Sequence, residues 1–274
     1  MFMKKNSEHT VKISIFLIAL ATIASFSSCE KVIDVNLDEA EKKYVIEGNI
    51  SNIANEAVEV RISQTKKFEE DNSFNGISGA TVTIQVNNGI TYNLPETSPG
   101  IYSTSAFSGI PGYNYKLSVT VNGAIYASTS VMPPQLVMLD TLTVDDLTFG
   151  DSDTKTIQPS YLDPAGSGNS YRFIQYANGI QVKHVFVQND DLSDGLRITR
   201  PLLNQDGDLK SGDTVRVDML CIDENVYTYW YSLDQAATGS NQSATPANPV
   251  SNISGGALGY FSAHSISSKT IVLP

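Results

Sequence analysis

Three times the chain sets Asn-Gly between two stretches in which apolar and polar residues alternate: Asn88-Gly89, Asn122-Gly123 and Asn178-Gly179. Such a pair accepts positive φ at both centres of a tight turn, and a period of two belongs to half-buried strands. Val82, Ile84 and Val86 lead into the first turn, and Ile90, Tyr92 and Leu94 leave it. Tyr115, Leu117, Val119 and Val121 lead into the second, and Ile125, Ala127, Thr129 and Val131 carry the return strand. Upstream, Tyr44, Ile46 and Ile50 share one face, and Val58, Val60 and Ile62 alternate with Glu59, Arg61 and Ser63. Six or seven strands in about 90 residues predict an antiparallel β-sandwich over 44–134. It is immunoglobulin-like in the broad architectural sense, without the Cys…Trp…Cys spacing of antibody domains. Met132-Pro133-Pro134 closes it, because two prolines cannot continue a central strand.

Residues 135–274 read as a second β-rich region. Leu136–Val144 is a strand, Tyr171–Tyr176 and Val182–Val187 flank the third Asn-Gly, and Val215–Cys221 follows a turn at Lys210–Asp213. A terminal strand lies between Leu258 and Leu273. One helix is expected near 223–237. Asp223 is its N-cap, Glu224 stands in its first turn, and Val226, Tyr229, Trp230 and Leu233 form an i, i+3, i+4, i+7 stripe that should pack on a sheet. Gly239–Pro249 is a polar loop.

The first 28 residues read as an address. Lys4, Lys5 and Lys12 precede the apolar run Ile13–Ile23, which is too short to span a bilayer and fits a secretory h-region. Phe26-Ser-Ser-Cys29 then resembles the lipobox of bacterial lipoproteins, in which the Cys becomes the lipidated first residue; Phe26 departs from the usual Leu. The predicted organisation is a signal peptide over 1–28, lipidated Cys29 with a tether over 29–43, and the two β regions.

Charge narrows the partners. Lys and Arg number 18 against 29 Asp and Glu, a net −11. Removing residues 1–28 leaves 15 basic and 28 acidic side chains, −13 in all. Nucleic-acid binding needs a basic face, so it is excluded as a function class. Two cysteines make neither a disulfide scaffold nor a Cys-based zinc site. Cys221, within an apolar stretch, reads as an inert buried thiol.

No catalytic set stands out. His184 and His264 are the only histidines after residue 28, and neither has metal-ligand spacing. No G-x-S-x-G elbow is present. Acidic loops at Asn189–Gly195 and Asn204–Asp208 read as turn chemistry, with Ca²⁺ ligation the alternative. Gly255-Gly256-Ala-Leu-Gly259 lacks the rest of a nucleotide loop and reads as a tight turn or a close backbone approach. Tyr229 and Trp230 belong to the helix stripe. Tyr227 and Tyr231 flank it, and with Tyr260 and Phe261 they are the candidate ligand-binding aromatics, against core or rim packing.

The segments Cys29–Asp34, Tyr44–Gly48, Leu162–Gly166, Val226–Tyr229 and above all Asn248–Ala263 (NPVSNISGGALGYFSA) resemble a family of Bacteroidetes lipoproteins, the domain of unknown function 4249. The resemblance covers nearly all of the chain after Cys29. It carries no catalytic residue. Genes of this family often neighbour TonB-dependent transporters of the SusC type, so it implies an outer-membrane, lipid-anchored accessory role in uptake. It also implies O-glycosylation at Asp-Ser/Thr-apolar triplets, which Thr141 and Thr214 would carry.

The expected protein is therefore not an enzyme and uses no cofactor or metal. It is held to the membrane by its lipid, in a leaflet left open, and binds a small molecule, glycan or peptide beside a transporter. The alternatives are a surface glycan or peptide hydrolase and a structural or adhesive module.

Overall fold

The computed structural model describes residues 41–66, 73–149, 152–203, 209–238 and 248–274. The expected signal peptide, Cys29, nearly all of the tether, the Asn204–Asp208 loop and most of Gly239–Pro249 lie outside the described residues. Glu41–Pro274 form one unit.

The fold is mainly β with a single helix among the described residues. The first half supplies β1 (Tyr44–Ser51), β2 (Val58–Gln64), β3 (Thr81–Val86), β4 (Thr91–Leu94), β5 (Glu96–Ser98), β6 (Ile101–Thr104), β7 (Asn114–Val121) and β8 (Ala124–Val131). Strands β1, β2, β6 and β5 are neighbours in one sheet, and β4, β3, β7 and β8 make a second. Ile46, Val60 and Ile62 of the first and Val82, Ile84, Leu117 and Val119 of the second share one hydrophobic core. This is the sandwich the alternation predicts.

The second half supplies β9 (Leu139–Phe149), β10 (Ser152–Leu162), β11 (Ser170–Ala177), β12 (Ile180–Gln181), β13 (Phe186–Asn189), β14 (Arg197–Thr199), β15 (Thr214–Ile222), helix α1 (Glu224–Thr238) and β16 (Leu258–Val272). Strands β14, β10 and β9 form a small sheet. A second core gathers Leu139, Ile157 and Tyr161 from β9 and β10 with Phe173, Val217 and Met219 from β11 and β15. Val226 of α1 closes a third cluster with Leu220 and Ile222, so the expected helix stripe does pack on a sheet.

Strand β16 joins the two halves. Its residues 258–264 pair in parallel with β1, from Val45↔Leu258 to Ser51↔His264. Its residues 265–272 pair antiparallel with β15, from Cys221↔Ser265 to Thr214↔Val272. The first pairing is the departure from an all-antiparallel scheme, and Phe261 and Ala263 enter the first core through it.

Two Asn-Gly turns form as expected, with φ of 50° and 80° at Asn122 and Gly123 and 50° and 83° at Asn178 and Gly179. The first is displaced by one residue. Asn87 and Asn88 take the positive φ values, 48° and 57°, and the Gly89 amide donates to Val86 O at 2.8 Å. Strand β8 also corrects the expected pattern. Ile125 and Val131 are exposed, while Ser128 and Ser130 are buried. The reason is tertiary: Ser128 Oγ donates to Asn252 O at 2.8 Å, and Ser130 Oγ accepts from the Ala263 amide at 2.9 Å.

Candidate functional site

The four candidate aromatics fall in different settings. Tyr227 and Tyr231 stack on the flank of α1, with centroids 5.7 Å apart, and Tyr231 is the more exposed. Their planes are 21° from parallel, and the rings overlap only at their edges. Tyr260 is buried against Tyr229 and Trp230. Phe261 has no exposed surface and presents nothing to a ligand. Thr141 and Thr214 are exposed on β9 and β15.

Around Tyr260 the structure builds an ionic-aromatic knot. The Arg172 guanidinium lies over the Trp230 ring, Cζ 3.3 Å from its centroid. Tyr260, close enough to feel the Arg172 charge, accepts through its hydroxyl from Asn49 Nδ2 at 3.2 Å. Burial pushes the Arg172 guanidinium down and the Tyr229 and Tyr260 hydroxyls up. A stacked Arg replaces part of water's solvation of the charge with the π-electrons of the ring. This knot fastens α1 to β11 and β16.

The two histidines have local roles. His184 packs on Phe186, with ring centroids 4.7 Å apart. His264 is buried, with Nδ1 2.9 Å from Ser262 Oγ. Cys221 is buried, and that burial pushes its thiol up, as expected of an inert cysteine.

The acidic loop acquires a member that the sequence reading did not single out. Asp163, Asp190 and Asp194 each offer a carboxylate oxygen within 4.8 Å of the others, and Asp163 and Asp190 are buried. The conspicuous segment Leu162-Asp-Pro-Ala-Gly166 was the available signal for Asp163. Asp163 accepts from the Tyr171 hydroxyl and, at 3.0 Å, from the Gly195 amide. Asp190 accepts from the Gly168 and Asn169 amides at 2.9 and 3.0 Å, and Asp194 from the Gly166 amide at 2.7 Å. Burial works to raise the Asp190 carboxyl, but the amides outweigh it and hold it below the usual carboxylate range. These bonds tie the loop after β10 to the loop after β13.

A groove of about 700 Å³ opens on the outer face of the β4-β3-β7-β8 sheet. Register sets its floor. Thr91, Gln85, Lys116 and Thr129 stand opposite one another across four strands, and Thr83, Ser118 and Ala127 make the next row. Their chain neighbours Ile84, Leu117 and Val119 are buried and belong to the first core. Asn225 at the start of α1, with Asn252 and Ser254, builds the wall. Asp223 anchors that wall: it caps α1 through the Val226 amide at 3.0 Å and accepts from Ser130 Oγ on β8. Sequence periodicity marks these polar residues only as solvent-facing, so it could not single them out.

The C-terminal motif explains how the wall is held. Ser254 N donates to Ala127 O at 2.7 Å, which adds residues 252–254 along the edge of β8. Asn252 brackets the Phe261 peptide groups through both ends of its amide. A Cβ on Gly255 would lie 2.7 Å from Ile125 O, and one on Gly259 only 2.0 Å from Ile46 O. The glycines are thus close backbone approaches, as the sequence implies. The sequence model of the family described as Domain of unknown function (DUF4249) matches residues 30–270. The chain belongs to the DUF4249 family. In this DUF4249 protein the resembling C-terminal run is structural, pinning a loop and the last strand to the sandwich. No curated protein matches the chain in sequence. A solved structure of the Yersinia pseudotuberculosis adhesin InvE aligns at 16% identity over 65% of this chain and 55% of that chain, with a TM-score of 0.19. The DUF4249 chain therefore spans about half the length of that adhesin chain.

Proposed function

We propose that this protein is a lipid-anchored binding lipoprotein of the outer membrane, acting as an accessory beside a TonB-dependent transporter of the SusC type. The polar groove carries the binding part of this reading. It has the volume of a small-ligand site, about 300–1,000 Å³, and its floor is fixed by strand register. The anchor rests on the Lys-rich start, the h-region and Cys29. Among the described residues no helix is long and apolar enough to cross a membrane. Cys29 stands fifteen residues before Tyr44. Fully extended, such a span reaches about 50 Å at ~3.5 Å per residue. That would let the β unit meet a transporter in the same membrane. The transporter link follows from the gene neighbourhoods of the family it resembles.

The test is a C-terminally tagged full chain expressed in its own cells. The unaltered protein should sediment with outer membranes and, after gentle solubilisation, bring down a transporter in near-equal amount. Cys29→Ser should remove it from the outer membrane. Retention of Cys29→Ser in the outer membrane would overturn the anchor, and purification without a transporter would overturn the accessory role.

A further inference from the structure

We propose that the groove on the β4-β3-β7-β8 face binds an acidic oligosaccharide, with Lys116 pairing to a sugar carboxylate and the flanking polar rows taking its hydroxyls. The inference rests on the reading of the protein as a binding component, and it names the ligand class.

Charge comes first. Among the described residues, Lys116 is the one ionised side chain lining the groove, and no carboxylate lines it, in a chain whose formal charge is −11. Lys116 thus offers an anionic group a cation with no carboxylate competing for it in the lining.

Hydrogen-bonding capacity comes next. Among the described residues, the side chains of Thr83, Thr91, Lys116, Ser118 and Thr129 have no hydrogen-bond partner, whereas Ser128, Asn252 and Ser254 are engaged in holding the wall. Free donors and acceptors thus lie along the floor and used ones along its edge. Strand spacing sets them about 4.8 Å apart across the sheet and about 7 Å apart along it. That is a two-dimensional lattice of hydroxyl, amide and ammonium groups. A sugar chain offers hydroxyls at many points and suits such a lattice.

Other ligand classes fit less well. Among the described residues, Leu117 and Ala127 are the only apolar ones in the lining, so an apolar ligand gains little burial. None of the lining residues carries an aromatic ring on which a neutral pyranose could stack. An extended peptide uses main-chain pairing at a free strand edge, and at the β8 edge Ser254 already pairs with Ala127.

Titration calorimetry on the full chain in detergent tests this, with tetragalacturonate and a sialylated trisaccharide as acidic probes and maltotetraose as the neutral control. At least one acidic probe should bind saturably and maltotetraose should not. Binding should weaken as salt rises, because the Lys116 pair is solvent-accessible. Lys116→Glu should lower affinity about tenfold or more, a change of ~1.4 kcal/mol. Thr129→Trp, from a neighbouring strand, should block the floor. Both positions are exposed, so the variants should keep the parent melting temperature. Failure of both acidic probes, equal binding of the neutral sugar, or full affinity in Lys116→Glu would overturn the proposal. Transporter co-purification separates the two readings. If it persists while sugar binding fails, only the groove assignment falls; if it is lost while sugar binding holds, only the accessory role falls.

Discussion

Asn252 holds Phe261 by both ends of its side-chain amide: Nδ2 donates to Phe261 O at 2.8 Å, and Oδ1 accepts from Phe261 N at 2.9 Å. The side chain imitates a neighbouring strand for one residue of β16. Its backbone at the same time leans on β8 through Ser128 Oγ. One residue thus ties the last strand and the sandwich together.

Asn252→Ala should therefore be costly despite changing a residue outside the hydrophobic cores. It strands an N–H and a C=O that are part-buried. Each unsatisfied buried group costs about 1–3 kcal/mol, so the expected loss from two is about 2–6 kcal/mol. Urea unfolding should show a lower midpoint with an unchanged slope. A midpoint equal to that of the parent would show that water replaces the amide without penalty.

Alternation and turn chemistry made much of this fold legible, including β1 to β4, β7, the α1 stripe with its Asp223 cap, and β16. Strand β10 was not legible. Its sequence contains Pro159 and lacks a clean period of two. The structure accommodates Pro159 beside a register shift at Ser160/Tyr161, where the ladder is already irregular. The inward face of β8 departs from simple alternation for a different reason. Its serines are buried because Asn252, Asp223 and Ala263, more than 90 residues later in the chain, supply their partners. The groove was hidden in the same way: periodicity says which side chains face out, but register and a distant segment decide which of them meet.

Two glycines of one motif should respond differently to the same change. Gly259 faces Ile46 across the parallel β1–β16 pairing, and a Cβ there would sit 2.0 Å from Ile46 O, at φ +99°. Gly256 also has positive φ, +85°, but a Cβ on it would meet nothing within 4 Å. Gly256→Ala should cost only the local backbone strain, roughly 1–2 kcal/mol. Gly259→Ala must also push β1 and β16 apart, and should cost more than ~3 kcal/mol or prevent folding. Melting temperatures of the pair would check this, and equal losses would refute the close-approach argument.

His264 gives the fold a defined acid weakness. Burial pushes its pKa down to about 3, and the Arg172 charge acts in the same direction. Unfolded, the imidazole returns to about 6.5. The folded value is the lower one, so the unfolded state binds the extra proton. The native advantage is complete above the unfolded pKa and is lost as pH falls from about 6.5 towards 3. Between pH 6 and pH 5, where ordinary carboxylates remain ionised, stability should fall by about 1 kcal/mol from this residue. His264→Gln keeps a polar side chain beside Ser262 and cannot take up the proton. Its absolute stability will differ, but its pH slope in that window should be shallower by the same amount. Urea midpoints at several pH values for both proteins supply the comparison. Parallel slopes would mean that His264 gains access to solvent in the native state and titrates there.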